Sequence, residues 1–444
     1  MWAKAQSIEE IHRAMDAYDY EMPIAQIAPA SGDTLFTPLR AKALRAMNRN
    51  AEALKEWNSL LQADSTNTNV LIELAECYKL VGRTSEATPC YEKAVALHPE
   101  NTYFRQQHIR TLLATENYEQ ARDACHAWLD RDSLSATAFK LMGMAYEGMV
   151  SDNPDALTNA FMSYATAYGI DSLDAQTVAH IAAIFNNNEQ FKDAVDVTEK
   201  YRLTDTLNID VNRQNAKAYC LLKEYPTAIK RYEVLKKMGD RSFTTLYYLG
   251  VSHYGDNWMY GAYDNLLLAH KKSPMDVNVL YYLGKSAART SWKKEGVGYI
   301  QEAIEISTPT DSLMSRLYDG LVECYGYVNA PYEKIEAMKK LYSYNKKYTL
   351  FYHIAYTYDR QKDYANAVHY YEKYMALVPK DKQLALDDEG KPKPNVETLY
   401  QIAKRRVEKI KAEDFFRNGV HDDYFEPKML NALKAKKDSL NKTK

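Results

Sequence analysis

The sequence predicts an all-α fold, a solenoid of stacked antiparallel helix pairs, and three observations carry that prediction. One set of residues recurs: Leu71, Leu74, Ala75, Tyr78, Ala87, Tyr91, Ala94 and Pro99 return in kind as Leu246, Leu249, Gly250, Ala262, Leu266, Ala269 and Pro274. The set comes back once more as Phe351, Ile354, Ala355, Tyr358, Ala367, Tyr371, Tyr374 and Pro379. Short side chains fall at two fixed places in each repeat, where paired helices need them to approach closely. Gly 16 and Pro 14 in 444 residues are too few for a turn-rich β fold.

Taken in order, Ser7 to Tyr18 reads as an amphipathic helix through Ile8, Ile11 and Met15, with Ser7 as N-cap and Glu10 as its capping-box partner. A second short helix runs to about Ala28 and stops at Pro29 and Ser31-Gly32. These residues, 1–33, form an N-terminal cap, since the ends of a repeat array are shielded by atypical units. Repeats then fill 34–379, with first positions at Thr34, Thr68, Thr102, Ala136, Ala175, Ile209, Phe243, Val277, Ser315 and Tyr348. The step from Thr68 to Thr102 is 34 residues, and nearly all the others match it. Two run longer, one through extra residues around Val150-Ser151-Asp152-Asn153-Pro154, which lengthen a turn without touching the helix pair.

The eighth position is Ala41, Ala75, Gly143, Ala182, Ala216, Gly250, Gly284 or Ala355, with Ile109 and Val322 as exceptions. The twentieth is Ala53, Ala87, Ala121, Ala160, Ala194, Ala228, Ala262 or Ala367, with Gly296 and Ile335 filling the other two. An aromatic three residues ahead of the small one (Tyr118, Tyr225, Tyr364) is placed to pack back over its own turn, as a hydrophobic staple does. Pro99, Pro274, Pro309 and Pro379 end helices between repeats. From 380 to 444 the sequence gives a charged loop around Asp387–Pro394 and a capping helix from Val396 to about Phe416. A basic tail ends it, helical in part near Met429 to Leu433.

The offsets of these residues resemble the tetratricopeptide repeat, whose pattern of Leu-small, Tyr, Ala, aromatic, Ala and Pro has the same period. The resemblance covers roughly residues 34 to 379 and implies a right-handed superhelix whose inner wall is built from the first helix of each repeat. In that family positions 2, 5, 9 and 12 face inward, a spacing that keeps them on one stripe. They are Asp210, Arg213, Lys217 and Cys220; Thr244, Tyr247, Val251 and Tyr254; Asn278, Tyr281, Lys285 and Ala288; and Thr349, Tyr352, Tyr356 and Asp359. The candidate peptide-binding residues are therefore Arg213, Lys217, Tyr247, Tyr254, Tyr281, Lys285, Tyr352 and Tyr356. Tyrosine gives contact area at little entropic cost, and a nearby cation meets a carboxylate or phosphate. The implied function is a non-catalytic scaffold holding a protein or peptide ligand in the concave groove. The family's clamp for a C-terminal carboxylate is not supplied: Tyr248 stands where it needs Asn. A second reading gives the same tyrosine-rich groove to carbohydrate, or to an accessory of envelope assembly.

Other classes are excluded or disfavoured. A net charge of -2 and a pI near 6.6 lack the basic excess of a nucleic-acid binder, and the inner stripe mixes Asp210 and Asp359 with its cations. No apolar run is long enough to span a membrane. No phosphate loop, nucleophile elbow or metal-spaced cysteine pair occurs, so no catalytic residue, cofactor or metal is expected; His421-Asp422-Asp423 is too poorly arranged to hold one. Cys77, Cys90, Cys125, Cys220 and Cys324 read as small buried apolar residues. Ala3-Lys4-Ala5 before Gln6 has the small-x-small form of a signal-peptide cleavage site, without the regions that precede one. As the remnant of a leader at 1–5 it favours a bacterial periplasm or cell envelope over the cytoplasm, while the odd cysteine count weighs the other way.

Overall fold

The computed structural model describes residues 2–30, 32–151, 153–385, 393 and 396–418. Among these are 23 α-helices, a 3₁₀ turn at Lys380–Lys382 and no strand. Two helices, Trp2–Asp16 and Glu21–Gln26, come first. Five pairs follow: Thr37–Ala46 with Asn50–Ala63, Thr68–Leu80 with Thr84–Leu97, Thr102–Ala114 with Tyr118–Leu129, Ala136–Gly148 with Ala156–Ile170, and Ala175–Asn187 with Phe191–Arg202. The sixth repeat supplies Ile209–Leu221 and Tyr225–Lys237. Four more pairs are Phe243–Gly255 with Met259–Lys272, Val277–Ala288 with Lys293–Ile306, Asp311–Tyr327 with Pro331–Asn345, and Thr349–Arg360 with Tyr364–Leu377, before a last helix, Leu399–Asn418. The chain forms two compact units, Met1–Ala218 and Tyr219–Lys444. Inside each unit, helices adjacent in sequence pack on one another.

Helix starts follow the sequence period because a capping residue precedes them. Asn67, Asn101, Ser135, Asn208, Ser242 and Asp276 each accept a backbone N–H from the first turn that follows. Three starts move for local reasons. The ninth repeat begins at Asp311, a turn before Ser315, because the Thr310 hydroxyl caps Leu313 N at 3.3 Å. The first begins at Thr37 instead of Thr34, since Asp33 first folds a turn by accepting from Leu35 N and Phe36 N. The last helix begins at Leu399 and not Val396: Thr398 and Gln401 form a reciprocal capping box, 2.9 and 3.3 Å. Ser7 is no cap. The helix runs from Trp2 straight through it, since Ala3-Lys4-Ala5-Gln6 are strong helix formers. Met1, Ser31, Asp152, the core of the charged loop, His421-Asp422-Asp423 and the basic tail lie outside the described residues.

Most pairs close at their short side chains. Ala53, Ala87, Ala121, Ala160, Ala194, Ala228, Ala262 and Ala367 are all completely buried. At Gly143 a methyl group would sit 2.6 Å from the ring of Tyr164, itself sealed from water. In the eighth repeat, glycine meets backbone directly: a Cβ on Gly284 would lie 2.8 Å from Gly296 O. Around these contacts large buried rings, Tyr91, Tyr164 and Tyr232, fill the interior. Tyr118 and Tyr225, expected to fold back over their own turns, instead lie forward on the next repeat, where Gly148 and Gly255 leave room; a methyl there would be 2.3 Å from either ring. All five cysteines are free and buried.

The turn inside a pair has its own signature. Asn48, Gly82, Glu116, Glu189, Lys223, Asn257, Asn329 and Lys362 have left-handed φ between +56° and +76°, each two residues after a first helix ends. The next N–H then reaches back five residues, as Asn117 N does to Leu112 O at 2.9 Å and Gln190 N to Phe185 O at 2.9 Å. Glu116, Glu189, Lys223 and Lys362 carry a Cβ in a conformation that favours glycine.

Two substitutions test this geometry. Gly143→Ala is expected to destabilise the fourth pair by about 1–3 kcal/mol through overpacking against Tyr164, read as faster hydrogen exchange across residues 136–170; unchanged exchange would refute the close contact. Glu189→Gly is expected to raise the urea midpoint, relieving about 1 kcal/mol of left-handed strain, whereas Glu189→Val lowers it.

Candidate functional site

Arg213 and Lys217 belong to the first unit. Arg213 pairs with Asp210 at 2.8 Å, and Lys217 donates to Asn187 Oδ1 at 3.0 Å. Burial holds the Lys217 ammonium below the usual lysine range. Arg213 borders a cavity of about 350 Å³ with Gln176, His180, Asp210 and Gln214. His180 is fixed there twice: its Nδ1 lies 2.9 Å from Glu147 Oε2, and its ring stacks on Tyr164 at 4.8 Å. The Tyr164 hydroxyl donates to that same carboxylate at 2.8 Å.

In the second unit Tyr247, Tyr254 and Tyr281 do not form an open stripe. They pack edge-on around Tyr282, at ring distances of 6.4, 5.4 and 5.2 Å. Tyr247 also stacks on Phe243, and Tyr281 is 8% exposed. The reading of positions 2, 5, 9 and 12 passes over Tyr282, the hub, because it stands at position 6. Lys285 is committed to this cluster. Its ammonium lies over the Tyr254 and Tyr281 rings at 5.7 and 5.3 Å and pairs with Glu323 of the next repeat at 2.8 Å. Burial is the largest single influence and opposes the charge, but the Glu323 hydrogen bond together with Tyr281 and Tyr254 outweighs it and raises the ammonium above the usual lysine range. Arg316 covers another approach to Tyr281 at 4.9 Å and donates to Asn278 Oδ1 at 2.7 Å.

Tyr352 and Tyr356 meet open space. With Tyr371 they form one wall of a cavity of about 630 Å³, and the helix Leu399–Asn418 forms the other with Ile402, Arg405, Arg406 and Lys409. That helix is positioned by Ala403, Val407 and Ile410, buried against the tenth repeat. Asp359 grips Arg406 through two hydrogen bonds of 2.7 Å, a bidentate pair that raises the guanidinium further above its ordinary range. Arg405 is paired from the side by Glu397 at 2.5 Å, and Lys409 stands 3.9 Å from Glu413. Arg360 also lines the cavity and is exposed, and Tyr356 is 47% exposed. Four cations therefore face this space against the single carboxylate of Asp359. Sequence reasoning missed Arg360, Arg405, Arg406 and Lys409, three of them because they belong to a helix read only as a cap. Their spacing was a usable signal: Arg405, Arg406 and Lys409 recur on one side of a helix at i, i+1 and i+4.

Among the described residues no group of three or more His, Cys, Asp or Glu is placed to hold a metal ion, and no helix is long and apolar enough to cross a membrane. What the fold defines is an all-α repeat protein, with short-side-chain contacts inside each helix pair and polar ties between successive pairs. Residues 31–130 match the family described as the psidin N-terminal TPR repeats region, and residues 348–381 match the tetratricopeptide repeat itself. The chain is a tetratricopeptide-repeat protein. It is 25% identical over 172 residues to the probable UDP-N-acetylglucosamine–peptide N-acetylglucosaminyltransferase SPINDLY of Hordeum vulgare, a match spanning 37% of this chain and 18% of that relative. Similar solved structures include the human IFIT1 dimer with PPP-AAAA, at 13% identity over 82% of this chain and 94% of that one, TM-score 0.40. Others are YrrB, a TPR protein with an unusual peptide-binding site (14%, 45% and 97%, TM-score 0.37), and yeast Tom70 (12%, 94% and 97%, TM-score 0.33).

One titratable group behind the tyrosine cluster sets a pH dependence. His253 is 1% exposed, its ring edge meets Trp258 at 4.4 Å, and neither ring nitrogen has a hydrogen-bond partner; the Glu233 carboxylate stands 3.9 Å off. Burial lowers its pKa below the ordinary 6.5, with Glu233 opposing. The folded state then binds fewer protons than the unfolded one, so stability is full above 6.5 and is lost as the pH falls through the lowered value. His108 and His353 are lowered by burial in the same direction. The melting temperature is expected to fall on acidification below about 6.5, and His253→Gln to flatten that slope; an unchanged slope would exclude His253 as its source.

Proposed function

We propose that this chain is a non-catalytic scaffold that binds an acidic segment of a partner protein, with the cavity between the tenth repeat and the last helix as its docking point. The observation that carries the reading is the lining of that cavity: exposed aromatic area from Tyr356 beside an excess of cations, in a chain whose net charge is -2. Tyrosine supplies rigid contact area, and guanidinium groups engage carboxylates in a planar, bidentate fashion. Arg406 is already neutralised by Asp359, so recognition falls to Arg360, Arg405 and Lys409 around the tyrosines. Lys285, with its ammonium engaged by Glu323 and two rings, contributes to shape and not to ligand charge. Membership of the tetratricopeptide class supports the reading at the level of scaffolding, and the site residues come from the geometry.

A fluorescein-labelled peptide of Glu, Asp and Phe provides the test, with the same peptide carrying Lys in place of its acids as control. Arg360→Gln combined with Arg405→Gln is expected to weaken the acidic peptide about tenfold at low salt, and Tyr356→Ala to weaken it at all salt concentrations. Arg213→Gln, in the other unit, leaves affinity unchanged. Equal binding of the acidic and basic peptides, or indifference to the double substitution, would overturn the proposal.

A further inference from the structure

A second cavity lies in the first unit, between the second and third repeats, with His108 among its lining residues. It measures about 420 Å³. Val95 and Ala96 come from the second helix of one repeat, Ala124 and Ala127 from the second helix of the next, and Ile109 from the helix between them, so most of its wall is aliphatic. The volume falls within the range of small-ligand sites.

The sequence explains why space opens here. One period before Cys125 and Trp128 stand Tyr91 and Ala94, 34 residues earlier in each case. The aromatic bulk has therefore moved one turn along the helix in the third repeat, and Ala124 and Ala127 flank the relocated ring. Trp128 is 3% exposed, and its indole Nε1 has no hydrogen-bond partner. One face of the ring is covered by Arg105 at 5.7 Å, whose guanidinium is engaged by the Pro99 carbonyl at 2.6 Å from Nε. A buried donor without an acceptor is costly, and the ring that carries it lines the cavity. Arg131 lines the same cavity and is exposed, and no carboxylate lines it.

We propose that this cavity binds a small amphiphilic monocarboxylate: the apolar body lies between Val95, Ile109 and Ala124, and the carboxylate meets the Trp128 N–H and Arg131. The pairing of one orphaned donor with one open cation selects a single acidic group on an otherwise apolar ligand. This site does not rest on the reading of the C-terminal cavity.

The test titrates the full chain calorimetrically with octanoate, and in parallel with 1-octanol and octylamine. Octanoate is expected to saturate at one molecule per chain, with 1-octanol at least about tenfold weaker and octylamine silent. Trp128→Phe, which keeps a ring and removes the N–H, and Arg131→Gln are each expected to weaken octanoate about tenfold. Ala124→Leu fills the space and abolishes binding, with helical content by circular dichroism confirming that the variant folds. Arg360→Gln leaves octanoate binding intact, which separates this site from the peptide site. Absence of saturable octanoate binding, equal affinity for octanoate and 1-octanol, or full binding by Ala124→Leu would each overturn the proposal.

Discussion

The distance between the two helices of a pair is the constraint on which the rest of this structure depends. In most pairs it is set where a buried alanine or glycine on one helix faces the other. Closing the pair forces large rings into the flanking space, and in this chain those rings are tyrosines with a hydroxyl to satisfy. Tyr91 donates to Glu76 and Tyr164 to Glu147, in each case an acid on the facing first helix of the same repeat. Interior packing thus determines which carboxylates are already engaged on the face a ligand would meet.

The polar residues of that face are drawn mostly into ties between consecutive repeats. Arg45 pairs with Glu73, Lys79 donates to Gln107, Asn186 to Gln214, and Lys285 pairs with Glu323. Each tie joins one repeat to the next, as expected of a nearest-neighbour array. Among the described residues the tenth repeat is followed by a single helix and not by another pair. The last helix takes that place and satisfies Asp359 with Arg406, while Arg405 and Lys409 arrive on the same helix together with Arg360 from the repeat. The positive cavity follows from how the array ends.

Much of the fold was legible because spacing reports it directly. The alanines of the twentieth position marked the helix contacts, and the period marked most first-helix starts. What escaped were effects that depend on a single hydrogen bond: the Thr310 cap that moves one start, the capping box at Thr398, and the left-handed turn residue, which Glu189 and Lys362 conceal by not being glycine. The binding surface was less legible for a different reason. Family offsets state which side of a helix faces inward, but not whether a neighbouring ring already covers it, as Tyr282 does for Tyr247, Tyr254 and Tyr281. Nor do they include a helix outside the repeat, which supplies the basic half of the open cavity.

The five cysteines carry a practical consequence. Each is buried, and burial raises their thiols, Cys77 to about 11 and Cys125 to about 12. Thiolate, the reactive form, is therefore scarce at neutral pH, and a maleimide dye or nitroxide reaches none of these sulfurs while the fold holds. A single cysteine engineered onto the surface becomes a unique attachment point, and pairs of such points turn the array into a ruler for spectroscopic distances without any background mutation.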